Sequence, residues 1–272
     1  MRTRWCSIVS IVVIAFASTR TAAKPAAPGD VSTKAYTGSV DGTLVVHEGF
    51  AAGKAKARRL FVLLPPTYAA QPERRYPVLY ALDAQDLFDG ALASGGEEWT
   101  LDEILARRPE GLREMLVVGM AAGPDAVHEH APPGSEAEAR GDALLALLTD
   151  EVRPFIESTY RVLAERESRL LLGLGGSALF ALYGAWQRAD LFAGAIALDC
   201  PDVDAQSAAW SATPPRGGRP WLWFEQRASE KPRASSTGFV AALQAHADVQ
   251  VVVTGPESNR TLRLLSALRA WR

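Results

Sequence analysis

Cysteine is almost missing from these 272 residues, with only Cys6 and Cys200 present. Cys6 lies in an N-terminal segment that reads as a removable leader, so no internal disulfide is expected at Cys200. An oxidising compartment is permitted but no disulfide framework is built for it. Cys200 closes an apolar run and is expected to be a buried small hydrophobe. Histidine is nearly as scarce, with four residues: His47, His128, His130 and His246. Lysine and arginine never gather into a stripe, which argues against nucleic acid as a partner. Neither a repeat nor a low-complexity tract is present.

Long apolar runs are also lacking, apart from Trp5 to Ala17, which is too short to span a bilayer comfortably. That run follows the basic start Met1-Arg2-Thr3-Arg4 and precedes small residues ending in Thr21-Ala22-Ala23. The pattern predicts a secretory signal peptide over 1–23 and a periplasmic or secreted protein. The competing reading is an uncleaved N-terminal anchor, the only route to a membrane. Loss of 1–23 removes Arg2, Arg4 and Arg20 and no acid, leaving 26 basic against 31 acidic residues. Residues 24–39 read as a linker, and 40–272 as one domain with no internal boundary.

Within that domain, short apolar runs alternate with helical patterns. Leu60 to Leu64, Val78 to Leu82, Leu116 to Gly119, Leu170 to Leu172, Ala195 to Leu198, Trp221 to Phe224 and Gln250 to Val253 read as strands. Thr43 to Val46 reads as an extra N-terminal strand. The runs are continuous, as in strands covered on both faces. Helical periodicity marks Leu101 to Arg107, Ala143 to Glu157 (divided or kinked at Pro154), Ala178 to Gln187, Phe239 to Ala247 and Thr261 to Trp271. Strand–helix alternation of this kind predicts an α/β fold with a mainly parallel sheet and helices on both faces.

One junction carries chemistry. Leu170-Leu171-Leu172-Gly173-Leu174-Gly175-Gly176-Ser177-Ala178-Leu179 runs from a buried strand through small residues into a helix. That is the form of a nucleophile elbow, where Gly-x-Ser-x-Gly places a serine on a sharp turn. Counted from Gly173, the nucleophile position holds Gly175, and Ser177 stands where the second glycine belongs. A frame shifted by two would make Ser177 the nucleophile. In the unshifted frame its hydroxyl falls in the first helical turn, where such a group more often caps backbone N–H.

Tyr160-Arg161 to Glu165-Arg166-Glu167 leads without a gap into that elbow. Together with Leu63-Leu64-Pro65-Pro66, Arg75-Tyr76-Pro77-Val78, Leu82-Asp83, Glu98-Trp99-Thr100-Leu101-Asp102-Glu103 and Glu151-Val152-Arg153-Pro154, this resembles the Putative esterase family of α/β-hydrolases. Enterochelin esterases, esterase D and feruloyl-esterase-like enzymes are its members. The resemblance implies an α/β-hydrolase fold, carboxylic-ester chemistry and a triad in the chain order Ser, acid, His. Matched position by position, the nucleophile falls on Gly175, the acid on Glu230 and the His on Glu257. Glu230 reads equally well as a solvated loop carboxylate. Asp83 and Ala84, with Gly176, match the oxyanion-hole loops, where backbone N–H groups act and a side-chain change at Ala84 is tolerated.

His128-Glu129-His130 resembles an H-x-H pair, but no third ligand is evident, so no metal is expected. No cofactor motif occurs. The expectation is an inactive, esterase-like pseudoenzyme holding a small-molecule or ester-like ligand in the remnant cleft. The alternative is an active esterase using Ser177 or a noncanonical site.

Overall fold

A computed structural model describes residues 32–50, 58–135, 138–201, 203, 209–227, 234–255 and 258–271. The leader over 1–23 lies outside them. No helix among the described residues is long and apolar enough to cross a membrane.

Nine strands form one sheet in the order β1-β2-β3-β5-β4-β6-β7-β8-β9. They are β1 Ser32–Ala35, β2 Thr43–Phe50, β3 Arg58–Leu64, β4 Val78–Leu82, β5 Leu116–Met120, β6 Arg169–Leu174, β7 Gly194–Leu198, β8 Trp221–Arg227 and β9 Asp248–Thr254. The pairs β1–β2, β2–β3 and β3–β5 are antiparallel, whereas β5, β4, β6, β7, β8 and β9 run parallel to one another. Every expected strand is present. The stretch 24–39, read as a linker, contains the edge strand β1. Its polar Ser-Thr-Lys-Ala sequence is exposed throughout and has no apolar periodicity to betray it. Backbone pairing with β2 holds it, helped by Thr33 Oγ1 at 2.9 Å from Nδ1 of buried His47.

The described residues also form seven α-helices: α1 Leu101–Ala106, α2 Ala126–His130, α3 Gly141–Ala146, α4 Arg153–Thr159, α5 Ala178–Gln187, α6 Ala234–His246 and α7 Arg260–Ala270. Successive strand residues point to opposite faces of the sheet. On β4, Val78, Tyr80 and Leu82 therefore enter one core with Leu144, Ile156, Phe180 and Leu243. Leu79 and Ala81 enter the other with Ile104, Leu264 and Leu268. The division expected at Pro154 is a π-helical turn, Leu147–Val152, between α3 and α4. Proline lacks the N–H an α-helix would use and crowds the carbonyl four residues back, so the wider turn absorbs it at the start of α4.

One buried carboxylate on α1 is only half satisfied. Asp102 Oδ2 accepts the Asp41 N–H at 2.7 Å, while Oδ1 has no partner among the described residues. Burial pushes its pKa up to about 7. A carboxyl whose folded pKa exceeds its unfolded value is a liability above that folded pKa, and the penalty fades as the pH falls and the folded state takes up the proton first. Asp102→Asn keeps the acceptor and removes the charge. Urea unfolding should show it more stable than the parent by roughly 2 kcal/mol at pH 8, with the gap closing by about pH 4. An advantage that grows on acidification would refute this account.

Candidate functional site

At the centre of the sheet, β6 turns through a 3-10 segment, Gly175–Ser177, directly into α5. The turn is tight because Gly173 lies against the following backbone. A Cβ on Gly173 would stand 2.2 Å from the Ser177 carbonyl oxygen. At the apex, Gly175 has φ +56°, and a Cβ there would meet nothing within 4 Å among the described residues. This is elbow geometry, with the apex facing open space.

Ser177 does not share that space. It is wholly buried. Its Oγ accepts the Leu174 N–H at 3.1 Å and donates to the Leu174 carbonyl at 3.2 Å. The hydroxyl ties the end of β6 to the start of the helix.

Strand register places two carboxylates beside the apex. Ala81 pairs with Leu172, so Asp83 comes level with Leu174 at the end of β4. Leu174 pairs with Leu198, so Asp199 comes level with Gly175 at the end of β7. Asp83, Gly175 and Asp199 all leave their strands in the left-handed conformation, at φ +54°, +56° and +51°. Ala84, buried beside Asp83, starts a short 3-10 turn, Ala84–Asp86. Gly176, the other expected oxyanion-hole residue, lies in the elbow itself.

Asp83 faces His130, whose Nε2 is 3.7 Å from Asp83 Oδ1. Burial raises the Asp83 pKa, opposed by His130 and the Ser177 hydroxyl. Burial also lowers that of His130, opposed by Asp83 and Glu129, while Arg58 pushes it the same way. His128 and His130 sit on a short helix rather than a strand and diverge. His128 Nδ1 meets Asp125 Oδ1 at 2.6 Å. No cluster able to hold a metal occurs among the described residues.

On the other side, Asp199 belongs to a buried ionic cluster. Arg263 of α7 meets Asp199 Oδ1 at 2.7 Å and Glu225 Oε1 at 2.9 Å. Thr254 Oγ1 donates to the same Glu225 oxygen at 3.3 Å. Trp99 covers the guanidinium at 5.5 Å from its ring centroid. Burial raises the Glu225 pKa, Arg263 holds it down, and Asp199 pushes it up again. Sequence reading missed Asp199, Glu225 and Arg263. An arginine in an amphipathic C-terminal helix carries no mark of burial, and its acidic partners are far away in the chain. Glu230 and Glu257 lie outside the described residues, three positions beyond the ends of β8 and β9.

The Putative esterase family matches residues 55–261. The chain belongs to that family. Among solved structures, this esterase-family chain superposes on a ferulic acid esterase with a TM-score of 0.61, at 16% identity over 84% of this chain and 97% of the other. An IroE-like serine hydrolase from Shewanella oneidensis gives 0.58 at 15% identity, over 88% and 79%. An S-formylglutathione hydrolase from Agrobacterium tumefaciens gives 0.56 at 12% identity, over 87% and 94%. Likenesses this remote establish the α/β-hydrolase fold. No curated protein matches the chain.

The geometry sets a stability ranking. Gly175→Ser meets open space, so only left-handed backbone strain opposes it, about 1–2 kcal/mol. Gly173→Ala drives a methyl into backbone and should cost more, or prevent folding. Arg263→Ala strands two buried carboxylates and should cost about 3–5 kcal/mol. Chemical denaturation of the three variants checks the order, and a Gly175→Ser protein less stable than Gly173→Ala would contradict it.

Proposed function

We propose that this chain is an exported, non-hydrolysing member of the esterase family, whose cleft holds a small-molecule or ester-like ligand without acyl-serine chemistry. Gly175 carries the reading. In Gly-x-Ser-x-Gly hydrolases the apex side chain is the nucleophile, and an imidazole takes its proton. Here the apex has the elbow conformation and an open approach but no side chain. Glu257 stands where the family resemblance puts the imidazole, and a carboxylate is too weak a base to activate a hydroxyl near neutral pH. Loss of nucleophile or base alone removes most of the rate of such an enzyme.

The rival reading, an active esterase using Ser177, meets two obstacles. Its Oγ is buried and bonded to both backbone polar groups of Leu174, and no side chain able to act as its base is in contact with it among the described residues except the Asp83 carboxylate. The basic start and apolar run of residues 1–23 support export.

A fluorophosphonate probe should therefore fail to label the mature protein, and turnover of short-chain chromogenic esters should stay at background. Gly175→Ser alone should remain inactive on the same esters, and Gly175→Ser combined with Glu257→His is the minimal change expected to give turnover. Labelling that vanishes in Ser177→Ala would reinstate the active-esterase reading. Turnover by the Gly175→Ser single variant would move the base away from position 257.

A further inference from the structure

We propose that the cleft over the elbow binds a primary amine in its ammonium form, held between the Asp83 carboxylate and the unprotonated ring of His130. The inference rests on the ligand-binding reading above and names the class of ligand.

Charge balance around the apex supplies the argument. Asp199 and Glu225 share the Arg263 guanidinium. Glu129 pairs with Arg58 at 3.1 Å. Asp86 accepts the Ser94 N–H at 2.6 Å and the Gln85 amide at 3.2 Å. Asp83 has no such cation among the described residues, and its other partners are the neutral Ser177 hydroxyl and Gln85 amide. Its side chain is only 14% exposed, and the basic group facing it is His130. Burying a carboxylate without a compensating cation is costly, so the site favours a positive ligand.

An independent observation comes from the imidazole. The His130 side chain is only 8% exposed, yet it makes no hydrogen bond among the described residues. Its Nε2 stops 3.7 Å from Asp83 Oδ1, too far for a direct bond. Phe180 covers the ring, with centroids 6.2 Å apart. Burial lowers the pKa of the imidazole and so favours the neutral form, which can accept a hydrogen bond. An ammonium carries three donors, enough to serve both the carboxylate oxygen and the ring nitrogen. Asp83 also leaves its strand in a strained left-handed conformation, a feature that gathers at ligand clamps. Among the described residues nothing lies within 4 Å of a Cβ built on Gly175.

Proton linkage gives the pH sign. A proton on Asp83 removes the counter-ion, and a proton on His130 removes the acceptor and adds repulsion. Both oppose the amine, so affinity should fall on acidification. Glu129 and Asp86 favour protonation and Arg58 opposes it, without changing that sign.

The test uses n-butylammonium as probe, with 1-butanol and butyrate as matched neutral and anionic controls, followed by calorimetric titration of the mature protein. Expected results are binding of the ammonium alone, weakening as the pH drops from about 7 to 5. Asp83→Asn, which keeps shape and tolerates the left-handed backbone, should lose about tenfold or more in affinity. His130→Phe should flatten the pH dependence, and circular dichroism confirms that both variants fold. Butyrate binding as well as the amine, or an unchanged amine affinity in Asp83→Asn, would overturn the proposal. Fluorophosphonate labelling judges the parent reading separately. An unlabelled protein that ignores n-butylammonium refutes the amine site and leaves the non-hydrolysing reading intact.

Discussion

The close approach of Gly173 to the Ser177 carbonyl is the constraint on which the rest of this molecule depends. It lets the central strand reverse into α5 within three residues, and it forces the apex into the left-handed region. A helix launched so close to the sheet must be apolar nearly all round, and Ala178 to Trp186 are buried. The Ser177 hydroxyl completes the joint by bonding both polar groups of Leu174. The elbow is thus intact as a piece of backbone architecture. The turn stands on the packing of Gly173 and the bonds of Ser177, which need no side chain at the apex.

Charge is managed differently on the two sides of that turn. Beside β7, two carboxylates and an arginine form a dry cluster that ties the last helix to the strand ends, reinforced by Trp99. Buried ion pairs contribute little net stability, but breaking one leaves an uncompensated charge, so such a cluster specifies where α7 docks. Beside β4, Asp83 faces the His130 ring at 3.7 Å and is held by the Ser177 hydroxyl and the Gln85 amide.

Several features were legible without coordinates. Continuous apolar runs such as Val78 to Leu82 announced strands covered on both faces, and Pro154 announced a break that became a π-helical turn. The spacing from Gly173 marked position 175 in the turn, where the backbone is left-handed. By contrast, β1 was invisible because an exposed edge strand needs only backbone pairing, which leaves no hydrophobic pattern. The two histidines of His128-Glu129-His130 looked like one unit, yet the short helix turns one toward Asp125 and the other toward Asp83.

By itself the sequence determined the fold class, the position of the elbow and the residue at its apex, because periodicity, glycine spacing and side-chain identity are local properties. Only the tertiary structure decided that Ser177 is a sealed cap, that Asp83 meets His130, and that Arg263 joins Asp199 to Glu225. Each of those depends on strand register or helix docking, which bring together residues whose separation in the chain carries no information about their distance in space.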